Sequence, residues 1–110
     1  QYPYYAKSRY IKMGKQEIVK LPSFMLPRKN CLGDVLPPFV SIDTGMVEEI
    51  KELWSKGIYT TGCCSGHPDN PYIGVTNDCI ATMEALGYQH IHNPHEVLQS
   101  TFYPKKIKKI

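Results

Sequence analysis

From residue 39 onward the apolar positions recur with two periods. Phe39, Val40 and Ile42 crowd into a short run that predicts a buried strand. Met46, Val47, Ile50, Leu53 and Trp54 then share one helical face, with Asp43 or Thr44 placed to cap the helix. Glu48, Glu49 and Glu52 come early and Lys51 and Lys56 late, the order that the helix dipole favours. Gly57 supplies the left-handed residue that ends the helix. Residues 58–61 are β-branched or aromatic and predict a strand, as do residues 72–75. Thr76 or Asn77 caps a second helix with Cys79, Ile80, Met83 and Leu86 facing inward, and Gly87 closes it. Residues 88–92 read as a further strand, 93–100 as a loop or short helix, and 101–103 as an edge strand.

The first part of the chain is less regular. Residues 9–13 and 17–21 alternate around Gly14 and Lys15, the pattern of a hairpin, and Pro22 stops its second arm. Residues 23–38, with Pro27, Pro37 and Pro38, read as a surface wrap holding at most one short strand. The expected fold class is α/β (α+β). It is a small mixed sheet with two helices on one face, an N-terminal hairpin and a proline-rich wrap. The expected organisation is one domain: hairpin and wrap over 1–38, core over 39–103, and a basic tail over 104–110.

Composition narrows the function classes. Of the 110 residues, 42% are hydrophobic and 21% charged, values of a globular chain and not of a disordered one. No apolar stretch is long enough to span a membrane. The first residues lack the basic start and apolar block of a secretory signal, so a cytoplasmic protein is expected. The net charge of +3 is too small for a dedicated nucleic-acid binder, and much of it lies in Lys105, Lys106, Lys108 and Lys109. Those lysines read first as a frayed, solvated tail and second as a phosphate-attracting one. The four cysteines, Cys31, Cys63, Cys64 and Cys79, do not have the spacing of a disulfide framework. They read as free or metal-bound thiols in a reducing compartment.

The candidate chemistry lies in the loop Gly62-Cys63-Cys64-Ser65-Gly66-His67. Two glycines bracket two thiols and a hydroxyl, and an imidazole follows. Glycines let backbone approach a ligand and turn N–H groups toward it. Three uses compete. The first is ligand binding without turnover. Here Gly62, Cys63, Cys64, Ser65, Gly66 and His67, flanked by Tyr59 and Tyr72, hold an anionic, nucleotide-like molecule. Eight tyrosines supply stacking surfaces, and Arg9, Arg28 and Lys29 supply charge. The second use is a zinc site built on Cys64 and His67, with Cys31 as the leading third ligand. Cys63, Cys79, His90, His92 and His95 are further candidates, although Cys79 also falls on an apolar helix face. His90 and His92 share one side of a strand, as a surface pair or as part of the pocket. The third use is a small enzyme with Cys64 as nucleophile, but no residue is evident that would orient His67.

Several stretches also suggest relatives. Ile42 through Ile50, Leu53-Trp54, Gly57-Ile58, the Gly62–His67 loop, Pro71–Val75, Leu86-Gly87-Tyr88 and Phe102–Lys105 together resemble a family of short proteins from bacteriophages and prophages of Gram-positive bacteria. The resemblance covers most of residues 22–105. It implies an intracellular phage accessory protein, and it carries no assigned activity. Locally, Thr60 through His67 is similar to the Thr-Thr-Ser-Ser-Cys-Ser-Gly-Arg loop of the wybutosine-synthesis transfer RNA methyltransferases. Cys64, Ser65 and Gly66 match. His67 stands where that family has arginine, and Gly62 and Cys63 stand where it has serines. The chain is too short for such an enzyme, so this likeness implies a nucleotide-friendly loop and not methyl transfer. The leading expectation is therefore a phage-type accessory protein that binds a small nucleotide-derived ligand, sequestering a host defence signal. It is expected to be non-catalytic and to form a homo-oligomer. A zinc-binding module and a cysteine-dependent enzyme are the alternatives.

Overall fold

The alternation around Val19 is satisfied by a partner distant in sequence. Strand β1, Gln16–Lys20, runs antiparallel to β2, Phe39–Asp43, with Val19 opposite Val40 and Glu17 opposite Ile42. The computed structural model describes residues 16–64 and 71–106, with Cys64 described by its backbone only. The other arm of the expected hairpin, residues 9–13, lies outside the described residues.

A turn of 3-10 helix at Thr44–Met46 leads into α1, Val47–Ser55. Met46, Ile50, Leu53 and Trp54 are buried and Val47 packs against them, as the helical period requires. Gly57 then adopts φ 80° and sends the chain back toward the core, a conformation that costs other residues a Cβ clash. Strand β3, Thr60–Cys64, pairs antiparallel with β4, Tyr72–Val75, which in turn pairs with β5, Thr101–Phe102. Between β4 and β5 the chain passes through a 3-10 turn at Asn77–Cys79 and the short helix α2, Ile80–Ala85. Cys79 and Met83 are buried on its inner side. The Cys79 sulfur accepts from the Tyr59 backbone N–H at 3.4 Å and lies 3.4 Å from the Thr76 hydroxyl oxygen, which makes it a core group.

The α+β class is as expected, but the strands do not form one mixed sheet. They divide into two antiparallel sheets, β1-β2 and β3-β4-β5. Each strand finds an antiparallel neighbour, so no parallel crossover is needed. The expected strand over 88–92 is reduced to a bridge between His90 and Phe102. Two bonds flank it, Ile91 N–H to Thr101 O at 2.8 Å and Tyr103 N–H to Gln89 O at 2.9 Å. This segment covers the far side of β5, so residues 101–103 are not the exposed edge that their composition suggests. Among the described residues no helix is long and apolar enough to cross a membrane.

The start of the basic tail is not frayed. Glu49, on α1, is fully buried, and its carboxylate accepts three hydrogen bonds. The backbone N–H groups of Lys105 and Lys106 each donate at 2.8 Å, and the Tyr88 hydroxyl donates at 2.6 Å. A carboxylate accepting from backbone N–H groups makes strong, charge-assisted bonds, and these hold the tail down. Lys105 Nζ caps the Leu86 carbonyl and lies 4.5 Å from the Tyr88 ring centroid, while Lys106 Nζ reaches Glu52 at 2.7 Å.

Burial first, and then the bond to Glu49, push the Tyr88 hydroxyl above its ordinary pKa of 10.0. The folded state therefore keeps this proton when the unfolded chain loses it. The resulting stabilisation is present below the unfolded value and lost as pH rises through the folded one. Denaturation across the alkaline range should show stability falling more steeply in the parent than in Tyr88→Phe. Parallel curves would remove Tyr88 as the cause.

Candidate functional site

The seam between the two sheets holds a half-open cavity of about 510 Å³. Val40, Ser41 and Ile42 of β2 line one side, and Thr60, Thr61, Gly62 and Cys63 of β3 line another. Ile50 and Trp54 contribute from α1, Leu21 from just after β1, and Met25 and Leu36 from the wrap. Trp54 is fixed by a 2.9 Å bond from its indole N–H to the Thr60 hydroxyl, so a buried ring keeps its polar atom satisfied.

An irregularity in β3 decides which side chains face this space. The β3–β4 register shifts between Thr60 and Gly62: Thr60 stands opposite Val75, and Cys63 opposite Ile73. Val75 and Ile73 are both buried. Residues at positions 60 and 63 would point to opposite faces of a regular strand. The extra residue, Thr61, restores them to the same face. Gly74 allows this crossing, because a Cβ there would sit 2.7 Å from the Thr61 hydroxyl oxygen.

Two tyrosines reach the same cavity. Tyr59 is half-buried and meets Phe24 edge to face, with ring centroids 6.3 Å apart. Tyr72 is more exposed, and its hydroxyl lies over Gly62, 3.9 Å from where a Cβ would be. The positive charge comes from the wrap. Asn30 folds residues 28–36 into a tight turn, its Oδ1 accepting from the N–H groups of Leu32 and Asp34. Gly33 takes φ 88° at the turn, and a bridge joins Lys29 to Val35. This turn carries Arg28 and Lys29 to the cavity wall.

Of the expected site residues, the structure brings Tyr59, Gly62, Cys63 and Tyr72 to one cavity. Gly62, Cys63 and Cys64 belong to β3, so the connection to β4 starts later than their composition suggests. Ser65, Gly66, His67 and the Cys64 side chain lie outside the described residues. Cys31, the leading third zinc ligand, is an exposed thiol on the 28–36 turn. His90 pairs with Glu84 at 2.7 Å and packs against Phe102 with centroids 4.4 Å apart. His92 and His95 are exposed. Among the described residues no group of three or more His, Cys, Asp or Glu side chains could hold a metal ion.

Sequence reasoning missed the apolar half of the cavity and the turn that delivers Arg28. The one signal for the turn is Asn30 followed by Gly33, an Asx-type start with a left-handed residue near its end. No family model, curated protein or solved structure matches this chain.

Proposed function

We propose that this protein binds a small nucleotide-derived ligand in the cavity between its sheets, as a phage-type accessory protein that sequesters a host defence signal. The observation that carries the reading is the meeting of Tyr59 and Tyr72 with Arg28 and Lys29 around one hollow. Aromatic faces suit a base, and cations suit a phosphate. The volume of about 510 Å³ lies in the range of small-molecule sites. Gly62 lets the backbone approach a bound molecule, and Met25, Ile42 and Trp54 give it an apolar wall to pack against.

The test is a thermal-shift screen of the full chain against cyclic dinucleotides, cyclic oligonucleotides and ADP-ribose derivatives. A ligand at a hundredfold excess over its Kd stabilises by ~2.7 kcal/mol. For a chain of this length that is roughly 10 °C in Tm. The shift should be lost in Tyr59→Ala. A panel in which no member moves the parent's Tm would overturn the reading.

A further inference from the structure

Val40, Ser41 and Ile42 are consecutive in β2, and all three line the cavity. Side chains of a strand alternate between its faces, so an unbroken run is met along the strand's edge. The hydrogen bonds tell which atoms that edge carries. Leu21 N–H donates to Pro38 O at 2.8 Å, which continues the β1–β2 register by one bonded pair. Bonded and non-bonded pairs alternate in an antiparallel ladder, so Phe39 and Ser41 turn their N–H and C=O away from β1. On that outer side the Phe39 carbonyl accepts from Arg28 Nη2 at 3.1 Å. Strand β3 is built alike. Thr76 N–H donates to Tyr59 O at 3.0 Å, and Val75 N–H turns the other way, to Ser100 O at 3.0 Å. Thr60 and Val75 are therefore a non-bonded pair, and Thr60 points its N–H and C=O away from β4. β2 and β3 each end their sheet. On these edges neither Ser41 nor Thr60 has a main-chain partner among the described residues.

We infer that the two open edges read the base of the ligand, with the N–H and C=O of Thr60 and Ser41 bonding its polar rim as they would bond a further strand. This rests on the nucleotide reading of the cavity and deepens it. In an extended residue the two groups stand side by side, one donor beside one acceptor. Each common nucleobase carries an acceptor next to a donor on its rim, the feature by which unpaired bases are read. Tyr59, Tyr72 and Trp54, which line the same cavity, supply aromatic surface for its faces. Main-chain groups held by a ladder on one side are set before the ligand arrives, which lowers the cost of binding. The ligand class is thus a nucleotide whose base has an unblocked polar rim, and a sugar phosphate without a base does not qualify.

Calorimetric titration of the full chain with adenosine, guanosine, cytidine and uridine monophosphates and with ribose 5-phosphate tests this. At least one nucleotide should bind about tenfold or more tightly than ribose 5-phosphate. Ser41→Pro removes an N–H that the β1–β2 ladder does not use, so the strand keeps its pairing. It should weaken the tightest nucleotide about three- to tenfold, the worth of one hydrogen bond, and leave ribose 5-phosphate unchanged. Ile18→Pro, on the residue opposite Ser41, removes an N–H that faces away from β2 and should bind as the parent does. If the Ser41 variant does not fold, the amide NMR spectrum of the parent decides. The Ser41 and Thr60 N–H resonances should move downfield at saturation with that nucleotide. Amide resonances that stay in place, or a folded Ser41→Pro that binds like the parent, would overturn the inference. Nucleotides no tighter than ribose 5-phosphate would overturn it too, and leave a phosphate site. Absence of binding by every probe sinks this inference, and only a silent screen of the wider panel would sink the reading beneath it.

Discussion

Replacing Glu49 by alanine is expected to destabilise the protein by about 3–5 kcal/mol, because three donors lose their acceptor at about 1–3 kcal/mol for each that stays buried. The carboxylate is fully buried and accepts from Lys105 N–H, Lys106 N–H and the Tyr88 hydroxyl. Alanine leaves three donors facing a hole. Glutamine is close in shape but turns an N–H₂ toward donors, so it too should cost about 2 kcal/mol. Truncation after Tyr103 removes two donors instead of the acceptor and strands the charge. Its effect should not add to that of Glu49→Ala, because both break one network. Urea denaturation gives each value. A loss below about 1 kcal/mol for Glu49→Ala would show that the tail is not held by this group.

Phe102→Ala should cost about 3–5 kcal/mol, the range for a buried aromatic truncated to a methyl group. Phe102 has no exposed surface, pairs with Ile73 of β4 and bridges to His90 on its other side. Its removal would open a hole against β4, β5 and the 89–91 segment together. Against a total stability of about 5–15 kcal/mol, such a loss could leave the chain largely unfolded. Phe102→Leu fills most of the space and should cost less than half as much. Equilibrium unfolding of the pair decides the point. Similar small losses in both would mean that the ring does not anchor the sheet.

These two residues also show what the sequence could and could not reveal. Both helices were legible, because Met46, Ile50, Leu53 and Trp54, and Cys79 and Met83, bury at the helical period. Glu49 carries a signal that charge conceals. It stands three residues after Met46 and four before Leu53, on the core face, yet an early glutamate is explained equally well by the helix dipole. Phe102 lies in a two-residue strand whose interior position depends on a bridge from His90, and no local pattern encodes that bridge. The loop composition pointed to Gly62 and Cys63, but not to the register shift at Thr61 that orients Thr60 and Cys63 alike. Periodicity assumes a regular strand, and a one-residue irregularity inverts every inference about facing beyond it. The division into two sheets was hidden for a similar reason. Alternation shows that a strand has an inner face, and says nothing about which strand lies beside it.

The separateness of the two ladders has a consequence for how this molecule can diverge. The hollow is walled by β2 on one side and β3 on another, strands that share no hydrogen-bonded pairing. No backbone ladder therefore fixes the spacing of these two walls. Exchanging a valine for an alanine, or a methionine for a phenylalanine, would resize the chamber while every backbone rung stayed in place. A lineage could retune the contents of this chamber repeatedly without redesigning the frame that surrounds it.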